Sequence, residues 1–234
     1  MSRLVATLGL DVKLQSRYSV YTIILVVAAL LSGALGYLFT PSELHFFMPV
    51  VLLGGVNLTT VFLAGFLVLL ERDEGTLDVV LVSPLRPTEY LWAKMVSLTA
   101  LAIVEGAVIV VVAYGFGFNL GWLLSAIVLR AMMGVCIGVV IGLRYRTITR
   151  FLMPAILVSL TFDLPILWYL GMIPTDLMYL WPAMPSMILA KAAFFGADPW
   201  QMAYAFLWGT SVLIATVVIG NRSIRGSVVG GQPA

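Results

Sequence analysis

Residues 120–143 read LGWLLSAIVLRAMMGVCIGVVIGL. A helix needs about 20 apolar residues to cross the hydrocarbon core of a bilayer, and this run is that long with a single charge, Arg130, inside it. Arg130, Gly134, Gly138 and Gly142 recur every four residues, so they share one helical face on which a second helix can approach closely. The arginine is thereby expected to point into protein rather than lipid.

Runs of the same kind extend to either side. Apolar segments at Tyr18 to Leu38, Phe46 to Leu70, Met95 to Tyr114, Phe151 to Leu170 and Gln201 to Gly220 join the first to predict an all-α integral membrane fold of six transmembrane helices. Composition agrees. The chain is 62% hydrophobic and 10% charged, with a mean hydropathy of +1.07, whereas soluble domains are roughly 45–50% apolar. A water-soluble fold is excluded, and one membrane domain over residues 18–220 leaves no room for a sizeable soluble one. A net charge of +2 gives no footing for nucleic acid. One cysteine, Cys136, and one histidine, His45, supply neither a metal site nor a disulfide framework. The N-terminus is polar and of mixed charge, so the first apolar helix is expected to act as its own insertion signal.

An even number of spans puts both termini on one side. Taking that side as cytoplasmic places Arg3, Lys13, Arg17, Arg72, Arg86, Lys94, Arg144, Arg146, Arg150, Arg222 and Arg225 inside and only Lys191 outside, as the positive-inside rule requires. Trp168, Tyr169, Tyr179, Trp181 and Trp200 then gather near the external interface as an aromatic belt. In residues 1–17, Leu4, Val5, Leu8 and Val12 oppose Arg3, Lys13 and Arg17, with Leu10 and Leu14 breaking the pattern; this predicts an interfacial amphipathic helix on the cytoplasmic surface. Residues 171–200 are too long for a hairpin and carry Pro174, Pro182 and Pro185. They are expected to form external or re-entrant short helices between spans five and six, allowed at membrane depth only where protein covers the backbone. Residues 221–234 are expected to be a short, disordered cytoplasmic tail.

The loop between spans two and three, residues 71–94, concentrates charge: Glu71, Asp73, Glu74, Asp78 and Glu89 beside Arg72, Arg86 and Lys94. Gly75 can end the second span, and Thr76 can cap a new helix that groups Leu77, Val80 and Leu81 until Pro84 stops it. About two turns long, this helix is far too short to span, so its apolar side needs cover from lipid headgroups or from another protein. Pro87 suits the start of a helix that runs on into the third span.

The run ERDEGTLDVVLVSPLRPTEYLWAK over residues 71–94 resembles the cytoplasmic coupling segment of ABC transporter type-2 permeases, whose hallmark is E-x-E-G-T-L followed by S-P-L-x-x-x-E-Y-x-x-A-K. The similarity extends to the six-span layout, the N-terminal helix and the region before the last span, and is greatest to small permeases of drug exporters, including those described as fluoroquinolone exporters. The resemblance implies a multi-pass protein of a prokaryotic plasma (inner) membrane. It also implies a dimer of permeases, identical or paired, driven by two separate ABC ATPase subunits that hold ATP and Mg, with no cofactor on this chain. Glu71, Glu74, Gly75, Thr76, Leu77, Leu81, Pro84 and Leu85 would then form the contact that transmits ATP-driven closure. No G-x-x-x-x-G-K-[ST] phosphate loop occurs in the chain, consistent with ATP hydrolysis supplied in trans.

Glu105, Arg130 and Asp163 fall inside spans, roughly 15, 20 and 18 Å from the cytoplasmic ends at about 1.5 Å per residue, and Asn57 lies roughly 20 Å deep. A lone charge there costs at least ~2.5–3.5 kcal/mol, so pairing is expected. One reading makes Glu105 and Arg130 a structural clasp between helices, with Asp163 left over; the other lets some of these groups line a substrate path on which Asp163 meets a cation. Export of a small amphipathic or drug-like solute is the function the resemblance implies, with lipid, haem or polysaccharide as other cargoes of such permeases. A polytopic membrane enzyme would need a nucleophile and base at depth, yet His45 sits in an outer loop and Cys136 among glycines. A non-transporting assembly subunit is the third possibility.

Overall fold

The computed structural model of the chain describes residues 3–75 and 87–229. The elements are α1 (Arg3–Arg17), α2 (Val20–Leu38), α3 (Pro41–Asp73), α4 (Pro87–Ala113), α5 (Leu120–Arg144), α6 (Ile148–Phe162), α7 (Leu164–Tyr169), a 3-10 turn at Asp176–Leu180, α8 (Met184–Phe195) and α9 (Pro199–Val229). Six segments are long and apolar enough to cross a membrane: α2, α3, α4, α5, the α6–α7 pair and α9. This is a multi-pass membrane protein.

Local chemistry sets the helix ends. Thr40 caps α3 in a capping box, its N–H donating to Glu43 at 2.8 Å, and Pro41 occupies the first turn, where a missing N–H costs nothing. Over 33 residues α3 is about 50 Å long, so it carries Glu71 beyond the hydrocarbon. It closes at Gly75, whose φ of 69° is the left-handed conformation that glycine takes without strain. Asn119 caps α5 by accepting from the Trp122 N–H at 3.3 Å. Arg72 of α3 covers the far end of α5, donating to the carbonyls of Leu143 and Tyr145 at 2.9 and 2.5 Å.

Helices α3 and α5 form the spine. A β-carbon on Gly138 would lie 2.3 Å from the Val61 carbonyl oxygen, and one on Gly134 2.2 Å from Thr60 Oγ1. Gly142 meets Gly65 backbone to backbone, and Gly65 in turn leaves room for the Phe151 ring of α6. Around this contact α4 packs on α3 and α5, while α2 lies against α4 and barely touches α3. Helix α8 is buried from Met184 to Ala190 between α5, α9 and α3. Within its most apolar window α9 is only 11% buried, against 67% for α5; it packs on α5 and α8 along one side and leaves the other to lipid or to another chain.

Several expectations need correction. Helix α9 continues to Val229, so residues 221–229 are helical rather than a disordered tail; Ile224 is buried in the core cluster that also holds Val20, Leu91 and Met95, which draws the helix onward. The fifth span is two helices meeting at Asp163. Helix α1 meets the bundle through Asp11 and Gln15, which are buried, while Val12 is exposed; the side toward the bundle, on which its apolar pattern gave no information, is polar because polar partners wait on α4. The side chains of Leu4 and Val5, the stretch holding Thr76, Leu77, Leu81, Pro84 and Leu85, and residues 230–234 lie outside the described residues.

Candidate functional site

Two groups of buried polar side chains interrupt the apolar bundle, one at mid-span and one where α1, α3 and α4 converge.

The mid-span group is built on a helix break. Pro165 has no N–H to offer the Thr161 carbonyl one turn back, and the indole of Trp181 donates to it instead at 3.0 Å. The next carbonyl, that of Phe162, accepts from both terminal nitrogens of Arg130 at 3.2 and 3.3 Å. Arg130 also forms an ion pair with Asp163, and Asn57 Nδ2 donates to the other carboxylate oxygen of Asp163 at 3.1 Å and to the Ser159 carbonyl at 3.3 Å. Asn57, Ser159 and Arg130 are all but fully buried. One guanidinium thus neutralises an acid and satisfies backbone freed by proline, and α3, α5 and the α6–α7 joint are tied together. Asn57 Oδ1, Ser159 Oγ and Arg130 Nε have no partner among the described residues.

Arg130 therefore pairs with Asp163, not with Glu105 as a clasp between those two would require. Glu105 lies across α3, where Thr59 Oγ1 donates to its Oε1 at 2.8 Å. Glu105 is 4% exposed, and its Oε2 is without a partner among the described residues. Positions 57 and 59 point to nearly opposite sides of a helix, so α3 presents one polar handle to each carboxyl. The left-over acid is Glu105.

The second group centres on Lys94. Its ammonium meets Asp11 at 3.1 Å and Glu71 at 2.8 Å, Tyr90 donates to Glu71 at 2.5 Å, and Ser97 donates to Asp11 at 3.1 Å. Gln15 donates to Ser97 and accepts from Tyr21. Lys94 is fully buried and Glu71 nearly so: Lys94, expected among the charges of a cytoplasmic loop, and Glu71, expected in the contact with the ATPase, both turn inward. Glu74, by contrast, is exposed; it accepts from the Tyr18 hydroxyl at 2.6 Å and lies 3.3 Å from Arg17. That hydrogen bond raises the Tyr18 hydroxyl above the usual tyrosine value, because losing the proton would set two negative oxygens together. The ends of the 71–94 segment are thus fastened to α1. Asp11 and Gln15 escaped the sequence reading, and the visible signal was slight: an acid and an amide four residues apart in a largely apolar and basic helix.

At the opposite end of the bundle, His45 Nδ1 and the Tyr114 hydroxyl are 2.5 Å apart, with the Phe195 ring centroid 4.3 Å from that of His45. Tyr179 joins Trp168, Trp200 and Tyr204 in one aromatic group. Cys136 contacts Met95 in the core. Cys136 meets no base, and no cluster of metal-binding residues occurs, among the described residues.

The chain matches the model of the fluoroquinolones export permease protein family over residues 2–230. It is 30% identical over 215 residues to the fluoroquinolones export permease proteins of two strains of Mycobacterium tuberculosis, CDC 1551 / Oshkosh and ATCC 25618 / H37Rv, with 89% of each chain covered. A match of that extent takes in all six spans, both polar groups and the 71–94 segment, and on it the chain belongs to the fluoroquinolones export permease family.

Proposed function

We propose that this chain is the membrane-spanning subunit of an ATP-driven exporter, moving a small amphipathic, drug-like solute out of the cell. The observation that carries the reading is the family match across residues 2–230; the relatives' names supply the solute class, fluoroquinolones. Energy comes from two ABC ATPase subunits that bind ATP and Mg, and a second permease, identical or paralogous, completes the transporter. The exposed faces of α2, α6 and α9 are where lipid and that second permease lie.

Both termini are cytoplasmic in this reading, supported by the arginines 17, 72, 144, 146, 150, 222 and 225 on the side that the positive-inside rule assigns to the cytoplasm. Helix α1 lies on the inner surface, and α8 with the Asp176–Leu180 turn re-enters from outside. Residues Glu74, Gly75, Thr76, Leu77, Leu81, Pro84 and Leu85 dock on the ATPase, and the Lys94 network hands its movement to α1, α3 and α4. The Arg130–Asp163–Asn57 group holds the helices in register during that movement.

Reconstitution tests this. Proteoliposomes containing the chain and its cognate ATPase should accumulate a fluoroquinolone only with hydrolysable ATP, and Leu77→Asp should abolish both transport and solute-stimulated ATP hydrolysis. ATP hydrolysis that ignores the permease, with no solute movement, would refute the reading.

A further inference from the structure

We propose that Glu105, with Thr59, is a binding subsite for the protonated amine of an amphipathic solute, entered from the bilayer through the seam between α2 and α3. The proposal rests on the transport reading and names the chemistry it selects. Among the described spans, the buried cations are already engaged: Lys94 with Asp11 and Glu71, and Arg130 with Asp163. Glu105 is nearly as buried, and among the described residues it has the Thr59 hydroxyl as its one partner, through Oε1. Its second oxygen meets no donor among the described residues. Ionisable groups at membrane depth are partnered or face a path for ions or solutes, and the missing partner of a carboxylate is a donor bearing positive charge.

The surroundings provide a way in. Helix α2 is held by α4 rather than by α3, which leaves the α2–α3 side of the bundle loosely closed. On α3, Thr59 is half-buried and the adjacent Leu58 exposed. One turn nearer the Pro41 end, Gly55 fronts open space, with no atom within 4 Å of where a β-carbon would stand. An apolar ring system can rest in the seam while its ammonium donates to Glu105 Oε2, a charge-assisted bond of about 2.7–2.9 Å. Secondary and tertiary ammonium groups carry the N–H this bond needs; acylated amines and purely anionic solutes do not.

The test uses the full chain in lipid nanodiscs without ATPase, titrated with a fluoroquinolone that carries a basic piperazine nitrogen and with its N-acetyl derivative, followed by drug fluorescence. Wild type should bind the free amine at least tenfold tighter than the acetylated compound. Glu105→Gln should erase that preference, Glu105→Asp should restore part of it, and Thr59→Val should weaken amine binding a few-fold. A second measurement needs no variant: the free amine, and not its acetyl derivative, should shield Glu105 of the wild-type protein from an apolar carbodiimide, read by peptide mapping. Equal affinity for both compounds in wild type, a preference that survives Glu105→Gln, or labelling of Glu105 that the amine leaves unchanged would overturn the subsite. Binding here is independent of ATP, so amine-selective binding without ATP-driven export would uphold the subsite and sink the transport reading, whereas export indifferent to Glu105→Gln would do the reverse.

Discussion

Arg130 shows how much one side chain can hold together in a low-dielectric interior. It satisfies the Phe162 carbonyl and the Asp163 carboxylate at once, so removing it strands both. A double-mutant cycle on thermal stability should give a coupling of at least ~1 kcal/mol between Arg130 and Asp163 and about zero between Arg130 and Glu105; the opposite pattern would restore the Glu105 clasp. Lys94→Met leaves Asp11 and Glu71 buried without their cation, and breaking a buried pair in this way costs about 3–5 kcal/mol. Replacing all three with Met, Asn and Gln should cost markedly less, which a comparison of Tm values in detergent would reveal. Counting residues along the spans places Glu105, Arg130 and Asp163 at one level, and that much was legible. Height says nothing about rotation around the helix axis, and it was rotation that decided which acid met the arginine. Lys94 was misread for a related reason: a lysine near a span end ordinarily reaches for water, and only the tertiary arrival of Asp11 and Glu71 keeps this one inside.

Among the elements, the contact between α3 and α5 was the most legible, because glycines at four-residue spacing leave a groove whatever fills it. Gly138→Val would drive side-chain atoms into the Val61 carbonyl, which stands 2.3 Å from the β-carbon position; forcing such helices apart costs about 1–3 kcal/mol. Gly36→Ala, where nothing lies within 4 Å, should leave Tm within a degree or so of wild type. Helix α1 was legible in extent but not in orientation. Its apolar residues addressed the face toward the bilayer and said nothing of the face toward the bundle, which the polar network with Ser97 and Lys94 claims for Asp11 and Gln15. Asp11→Leu should therefore loosen α1, seen as faster protease cleavage in the first 17 residues, while Val12→Ser should not. The break at Asp163 was hidden because Leu164 to Tyr169 are as apolar as the span they extend, and Pro165 alone marks it.

For the molecule as a whole, the six spans followed from long apolar runs that need no tertiary knowledge, and the helix that starts at Pro87 followed from the proline itself. What composition could not reveal is the division of labour: two internal polar groups hold the bundle, and the described ends of the 71–94 segment are both anchored, Glu71 and Lys94 to each other and Glu74 to Tyr18. A segment fastened at its base and apolar at Leu77 and Leu81 is suited to carry a partner's motion inward. The most direct test places a photo-reactive amino acid at position 77 of the full chain in its native membrane and identifies what it captures. Capture of a protein bearing a G-x-x-x-x-G-K-[ST] phosphate loop is the predicted result. Labelling confined to lipid, or to proteins that hydrolyse no nucleotide, would contradict it.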